Sequence, residues 1–218
     1  MSDAYDPADF PPLAVTVDLV LMTVHEGRLA VLLQHRSEPP HKGAWALPGG
    51  FVRIDESLDS AARRILVDKA GLGDAWLEQL YSFGDPRRDP RMRIITIAYF
   101  ALVPAEELAA ALADHTDLML APLAALPPLA FDHAAIVDHA TARLRGKLDY
   151  APVAFALLPT LFTLRALQDV HEAILGTPLN KPAFRRRMLD TGWIEGTGTR
   201  EAGGAFRPAE LYRKTRRA

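Results

Sequence analysis

Apolar positions run unbroken or alternate with polar ones over Leu13 to Met22 and Leu29 to Gln34. The His25-Glu26-Gly27-Arg28 stretch between them predicts a β-hairpin. The period then changes. From Leu58 to Ala70 there is neither Gly nor Pro, and Leu58, Ala62, Ile65 and Leu66 recur at helical spacing until Gly71, with Ser57 or Asp55 as the N-cap. Before this helix, Gly49 and Gly50 predict a turn in which the backbone takes positive φ or lets a ligand approach the main chain. Leu80 to Pro90 reads as a polar loop, and its Arg87 and Arg88, with Arg91 just after it, are placed either to clamp phosphates or to bridge to another subunit. Ile94 to Val103 follows as a strand with β-branched alternation. An Ala-rich helix is predicted over Glu106 to Asp114, and another over His133 to Lys147, N-capped by Asp132, with His133 and His139 on its surface.

Tyr150 to Pro159, broken by Pro152 and Pro159, reads as the boundary between a first unit, 1–150, and a second, 151–218. In the second, Thr163 caps a helix that Gly176 ends after Leu175, and Asn180 caps Lys181 to Thr191 with Pro182 in the first turn. The pairs Phe162 with Leu167 and Leu179 with Phe184 sit at hydrophobic-staple positions. A strand over Trp193 to Glu195, a Gly-rich loop from Gly196 to Gly204 and a returning strand Ala209 to Lys214 complete the order of a winged helix-turn-helix. With Phe184 and Met188 turned inward, Arg186 points away from the core and Arg185 and Arg187 flank it. That geometry suits base-edge contact by Arg186 and phosphate contact by its neighbours. Thr163, Asn180, Lys181, Arg200, Arg207, Arg213 and Lys214 complete the set expected to face DNA.

Charge sharpens this division. The net charge is -2, but residues 1–150 hold 14 Lys and Arg against 21 Asp and Glu, whereas residues 151–218 hold 11 against 6. A basic second unit points to a polyanionic partner such as double-stranded DNA. The chain has no cysteine, which excludes disulfides, zinc-thiolate sites and thiol nucleophiles and fits a cytoplasmic setting. Its first residues are acidic and Pro-rich, unlike a signal peptide, and the apolar run from Tyr150 to Phe162 is too short and too broken to span a membrane.

Trp45-Ala46-Leu47-Pro48-Gly49-Gly50, then Glu56, Arg64, Leu66, Gly71 and Leu72, fall in the register Gx5Ex7REUxEExGU, where U is aliphatic. This stretch resembles the Nudix box. In that family the three glutamates of REUxEE hold divalent metal and activate water against a diphosphate. Here those positions are Ile65, Asp68 and Lys69. One carboxylate survives, shortened, one position is aliphatic and one is a cation, so no catalytic residues and no metal ligands are assigned. The ammonium of Lys69 is placed to take over part of the absent metal's charge opposite a ligand diphosphate. Arg36, Gly50, Phe51 and Arg53, together with Glu56, Arg64, Asp68 and Lys69, are the candidate ligand-binding residues.

The segments Trp45 to Val52, Tyr81 to Arg91, Leu129 to Ile136, Arg143 to Tyr150, Phe162 to Gly176 and Phe184 to Leu189 resemble NrtR-type transcriptional regulators, which fuse a Nudix-like domain to a winged helix. The resemblance implies an α+β chain: a Nudix-like mixed-sheet α/β/α sandwich followed by a winged helix-turn-helix domain. It further implies a homodimeric repressor of NAD-related genes, released from its DNA operator by ADP-ribose or a related nucleotide, with no cofactor required. Three rival readings remain at this level: a Mg²⁺-dependent ADP-ribose hydrolase using Glu56, Asp68 and a later carboxylate, a regulator of the same architecture that senses a sugar, and an adaptor that binds RNA or protein.

Overall fold

Burial on both faces explains the long apolar run of the first strand, β1 (Ala14–His25). Val17, Leu19 and Leu21 enter one apolar cluster while Val20 and Met22 enter a second, as the two-residue side-chain period of a strand requires. In this computed structural model, which describes residues 6, 11–73, 75–113, 115–202 and 208–215, β1 is the middle of a seven-stranded mixed sheet. It pairs antiparallel with β2 (Arg28–His35) and parallel with β6 (Ile94–Leu102). The hairpin turn carries Glu26 and Gly27, both at positive φ, a combination that matches the twist of two tightly joined strands. Outside this centre, β3 (Trp45–Ala46) and β7 (Leu118–Pro122) pair with β2, β4 (Gly49–Phe51) with β1, and β5 (Trp76–Phe83) with β6.

Helices cover the two faces. On one side α1 (Leu58–Ala70) contributes Ala61, Ala62, Ile65 and Leu66 to the cluster of Val17 and Leu19, and α2 (Ala105–Ala113) adds Leu108. Ser57 caps α1 by accepting from the Ser60 amide, and Gly71 ends it in the left-handed conformation. On the other side α3 (His133–Lys147) and α4 (Leu164–Leu175) share the work, through Ile136, Val137 and Leu144 of the first and Leu167, Val170 and Ile174 of the second. Thr163 caps α4 and Gly176 closes it. The remaining winged-helix elements are α5 (Lys181–Asp190), capped by Asn180, and a three-stranded sheet in the order β8 (Phe162–Thr163), β10 (Glu210–Lys214), β9 (Ile194–Arg200). Phe184, Met188, Ile194 and Tyr212 of this head lie in the same apolar cluster as Val20 and Met22 of the central sheet.

Several sequence expectations change. Gly49 and Gly50 form strand β4, held by β1, and neither has positive φ. Leu80 to Phe83 belongs to β5, because its backbone is taken up by β6 and its Leu80, Tyr81 and Phe83 side chains suit a strand, only the charged residues after Gly84 remaining as loop. Gly196 to Arg200 extends β9, with the glycines tolerated because this strand lies on the exposed edge of the wing sheet. Asp132 makes no cap: its carboxylate accepts from Arg88 instead. His133 is not a surface residue but 3% exposed.

Leu167, fully buried at the junction of α4 with β1 and β2, tests the shared cluster. Leu167→Ala is expected to lower the unfolding free energy by about 2–5 kcal/mol. Urea unfolding followed by fluorescence checks this, and a loss below about 1 kcal/mol would contradict the packing described.

Candidate functional site

A cavity of about 270 Å³ opens beside the β1, β2 and β4 strands. It lies just below the range of roughly 300–1,000 Å³ usual for small-molecule sites. β4 supplies Gly49, Gly50 and Phe51 to its wall, and Lys69 reaches it from the last turn of α1. Lys69 has no hydrogen bond or ion pair among the described residues. Arg36 stands at the end of β2, fixed by donating to the carbonyls of Pro40 and Glu38 and by the Phe131 ring 4.9 Å from its guanidinium carbon. Burial and the neighbouring charge of Arg91 lower its pKa. The loop between β5 and β6 adds Arg91, which pairs with Asp89 at 2.8 Å and lies 5.6 Å from the Phe51 ring. That pairing holds the Asp89 carboxyl below its ordinary range. Phe131 and His41, which meet edge to face at 4.7 Å, both have positive φ, a strained backbone of the kind that gathers at ligand sites.

Beneath the rim lies a buried ion cluster. Arg88, 8% exposed, donates to both Asp132 oxygens at 2.7 and 2.9 Å and reaches Asp18 at 3.4 Å. It therefore joins the β5–β6 loop, β1 and the start of α3. His133 accepts at Nδ1 from the Leu47 amide at 2.8 Å, so in the neutral ring the proton sits on Nε2. Burial pushes the His133 pKa down.

Four of the eight expected ligand residues, Arg36, Gly50, Phe51 and Lys69, line this cavity. Arg53, Glu56, Arg64 and Asp68 do not. Glu56 is claimed by Arg64 through bonds of 2.6 and 2.9 Å and by the Arg53 amide at 2.7 Å, which together lower its pKa to about 2. Arg64 also donates to the Phe51 carbonyl, so this pair braces the segment between β4 and α1. Asp68 is exposed and 3.7 Å from Arg64. Ile65 is 1% exposed and packs under Gly50. With one position sealed by an aliphatic side chain, one cationic and Glu56 bound to Arg64, these residues do not fit a divalent metal cluster. Among the described residues no group of three or more His, Asp or Glu is placed to hold a metal ion. Asp18, Phe131 and His133 went unrecognised in the sequence, although a lone carboxylate inside an apolar strand is a signal that could have found Asp18.

In the head, Arg185, Arg186 and Arg187 are exposed while Phe184 and Met188 are buried. Arg186 makes no hydrogen bond or ion pair among the described residues, whereas Arg187 lies 3.7 Å from Asp149 and 5.7 Å from the Phe184 ring. Asn180, Lys181, Arg200 and Lys214 are exposed, and so is Arg213, which Glu195 partly neutralises at 2.7 Å. Thr163 is a correction: it is 8% exposed and its hydroxyl accepts from the Ala166 amide, so it serves as a buried helix cap rather than an exposed contact. Arg207 lies outside the described residues.

Fold and site together define a Nudix-like ligand domain carrying a winged-helix head. Residues 12–140 match the NUDIX domain family, and residues 154–214 match the NrtR DNA-binding winged helix domain. The chain is 41% identical to the ADPR responsive transcriptional repressor NtrR of Acinetobacter baylyi, over 96% of this chain and 85% of that protein. The crystal structure of Shewanella oneidensis NrtR complexed with a 27mer DNA superposes with a TM-score of 0.84 at 38% identity, covering 92% of this chain and 93% of that one. The NUDIX domain of the same protein complexed with ADP ribose gives a TM-score of 0.53 at 36% identity, over 64% of this chain and 94% of that one. The chain belongs to the NrtR family of Nudix-like, winged-helix proteins.

Burial of neutral His133 and His171 fixes the sign of one pH effect, because both have lowered pKa values. The unfolded chain takes up protons near the ordinary histidine pKa of about 6.5 before the folded chain does, so stability is full above that value and falls as pH drops below it. Unfolding free energy is therefore expected to decrease from pH 7 to pH 5, with a smaller slope in His133→Asn. A flat profile in chemical denaturation would contradict the buried neutral rings.

Proposed function

We propose that the chain is a DNA-binding transcriptional repressor whose operator affinity falls when ADP-ribose or a closely related nucleotide fills the Nudix-like cavity. Its targets are genes of NAD-related metabolism. The reading rests on one observation above others: a cation-rimmed cavity that has lost the metal-binding carboxylates is packed through a common core onto a winged helix with an exposed arginine face. Arg36 and Lys69 meet the ligand diphosphate, and Gly50 and Phe51 form the wall beside it. The chain acts as a homodimer, placing two α5 helices on half-sites about 34–36 Å apart or a multiple of that. Arg186 reads base edges, and Arg185 and Arg187 meet the phosphate rims. Asn180, Lys181, Arg200, Arg213 and Lys214 add phosphate contacts.

Similarity to a repressor named as responsive to ADP-ribose, and to a NUDIX domain crystallised with ADP ribose, supports the effector class over a sugar. The buried Ile65 and the Arg64-bound Glu56 favour binding without hydrolysis, since neither supplies a free oxygen ligand or base. No cofactor is required in this reading. Among the described residues no helix is long and apolar enough to cross a membrane.

Fluorescence anisotropy with operator duplex, random duplex and ADP-ribose tests the reading. The operator should bind more tightly than random duplex, ADP-ribose should release it, and incubation with Mg²⁺ should yield no steady production of AMP. Arg186→Ala should lose about 1–3 kcal/mol of operator preference, and an unchanged preference would remove Arg186 from base recognition.

A further inference from the structure

The floor of the cavity holds a carboxylate short of donors. Asp18, 7% exposed, interrupts the apolar run of β1 and lines the cavity. Arg88 approaches its Oδ2 only at 3.4 Å, directing its shorter bonds to Asp132, and His133 Nε2 stands 3.7 Å away. Among the described residues no donor is hydrogen-bonded to Oδ1. Gly49 keeps this carboxylate in place: a Cβ there would lie 2.2 Å from Oδ1 and 2.9 Å from the Val17 carbonyl, so any side chain at position 49 displaces it. A buried carboxylate with so few protein donors is expensive to hold and is satisfied when a ligand or solvent supplies the rest.

The cavity is therefore polarised: Arg36, Lys69 and Arg91 stand at its rim, while its buried lining holds two carboxylates, Asp18 and Asp89, against the single cation Arg88, with an Nε2–H donor on His133 beside Asp18. A phosphate is attracted to the rim and repelled by the Asp18 Oδ1 that Arg88 does not reach, whereas sugar hydroxyls are drawn to such a carboxylate acceptor. Resting on the nucleotide-effector reading above, we infer that Asp18 is a specificity-determining residue that accepts hydrogen bonds from the vicinal hydroxyls of a ligand furanose, while the ligand's diphosphate stays at the rim. An analogue lacking one of those hydroxyls leaves a desolvated charge incompletely paired. Hydrogen bonds to charged groups make such a loss worth about 10-fold or more in affinity.

Isothermal calorimetry on the full chain provides the test, with ADP-ribose, ADP-ribose lacking the 2′-hydroxyl on the adenosine sugar, and ADP-ribose lacking the 2-hydroxyl on the distal sugar as probes. One of the two deoxy analogues should bind the wild type about 10-fold or more weakly, identifying the sugar that sits on the floor. In Asp18→Asn, which keeps the shape but accepts only as a neutral amide, that penalty should shrink about fivefold or more. Thermal unfolding and operator binding confirm that the variant is folded. Equal binding of all three ligands by the wild type would overturn the assignment of Asp18 while leaving the effector reading in place, and this comparison needs no variant. A full penalty retained in folded Asp18→Asn would overturn it as well. Failure of the wild type to bind ADP-ribose at all would remove the effector reading together with the inference built on it.

Discussion

Everything in this chain depends on how one apolar sheet face is covered. Val20 and Met22 of β1, with Val31, Leu33 and Phe100, present a surface that α3 alone does not close, and α4 of the winged-helix head packs on β1 and β2 beside α3. A sheet face needs a helical layer over it, and here half of that layer belongs to the reader of the other domain. Moving the head as an independent body would expose this surface to water at roughly 25 cal/mol per Å². Rearrangement of the head must therefore involve the sheet and α3, and the cavity is built on those same elements.

The ion cluster under the cavity follows from that arrangement. Arg88 ties the β5–β6 loop to Asp132 at the start of α3, while α3 in turn lies against α4. A ligand entering the cavity meets Arg88 and His133 at its floor and Arg36, Lys69 and Arg91 at its rim, so it contacts the groups that position α3. Coupling needs such differential contacts between two arrangements of the chain, and distance alone supplies none. The Nudix box serves the same end in altered form. Arg64 and Glu56 brace the wall of the cavity, Ile65 packs beneath it, and Lys69 contributes positive charge.

Sequence periodicity located α1, α3, α4 and the start of α5 to within a residue, because Ser57, Thr163 and Asn180 cap three of them, while α3 starts after Asp132 without a side-chain cap. The strands β4 and β7 were not legible, since three and five residues carry little or no period and their partners are far away in the chain. The same long-range pairing turned the apparent loop at Leu80 to Phe83 into β5. For the site, the glycines, Phe51 and Lys69 were readable from the motif and Arg36 from its place at the end of the second strand, whereas Glu56 and Arg64, which motif register put in a ligand role, pair with each other outside the cavity lining. Asp18, Phe131 and His133 are brought together from β1, the segment before α3 and α3 itself, a convergence that only the folded chain reveals.

The central claim, that cavity and DNA head form one thermodynamic unit needing no metal, is tested most directly by reciprocity. ADP-ribose affinity is measured by calorimetry in EDTA, with the protein free and again saturated with operator duplex. Operator should weaken ADP-ribose binding by the same factor by which ADP-ribose weakens operator binding, about 5- to 150-fold. Equal ADP-ribose affinity in the presence and absence of operator, or binding that appears only when Mg²⁺ is restored, would contradict the account.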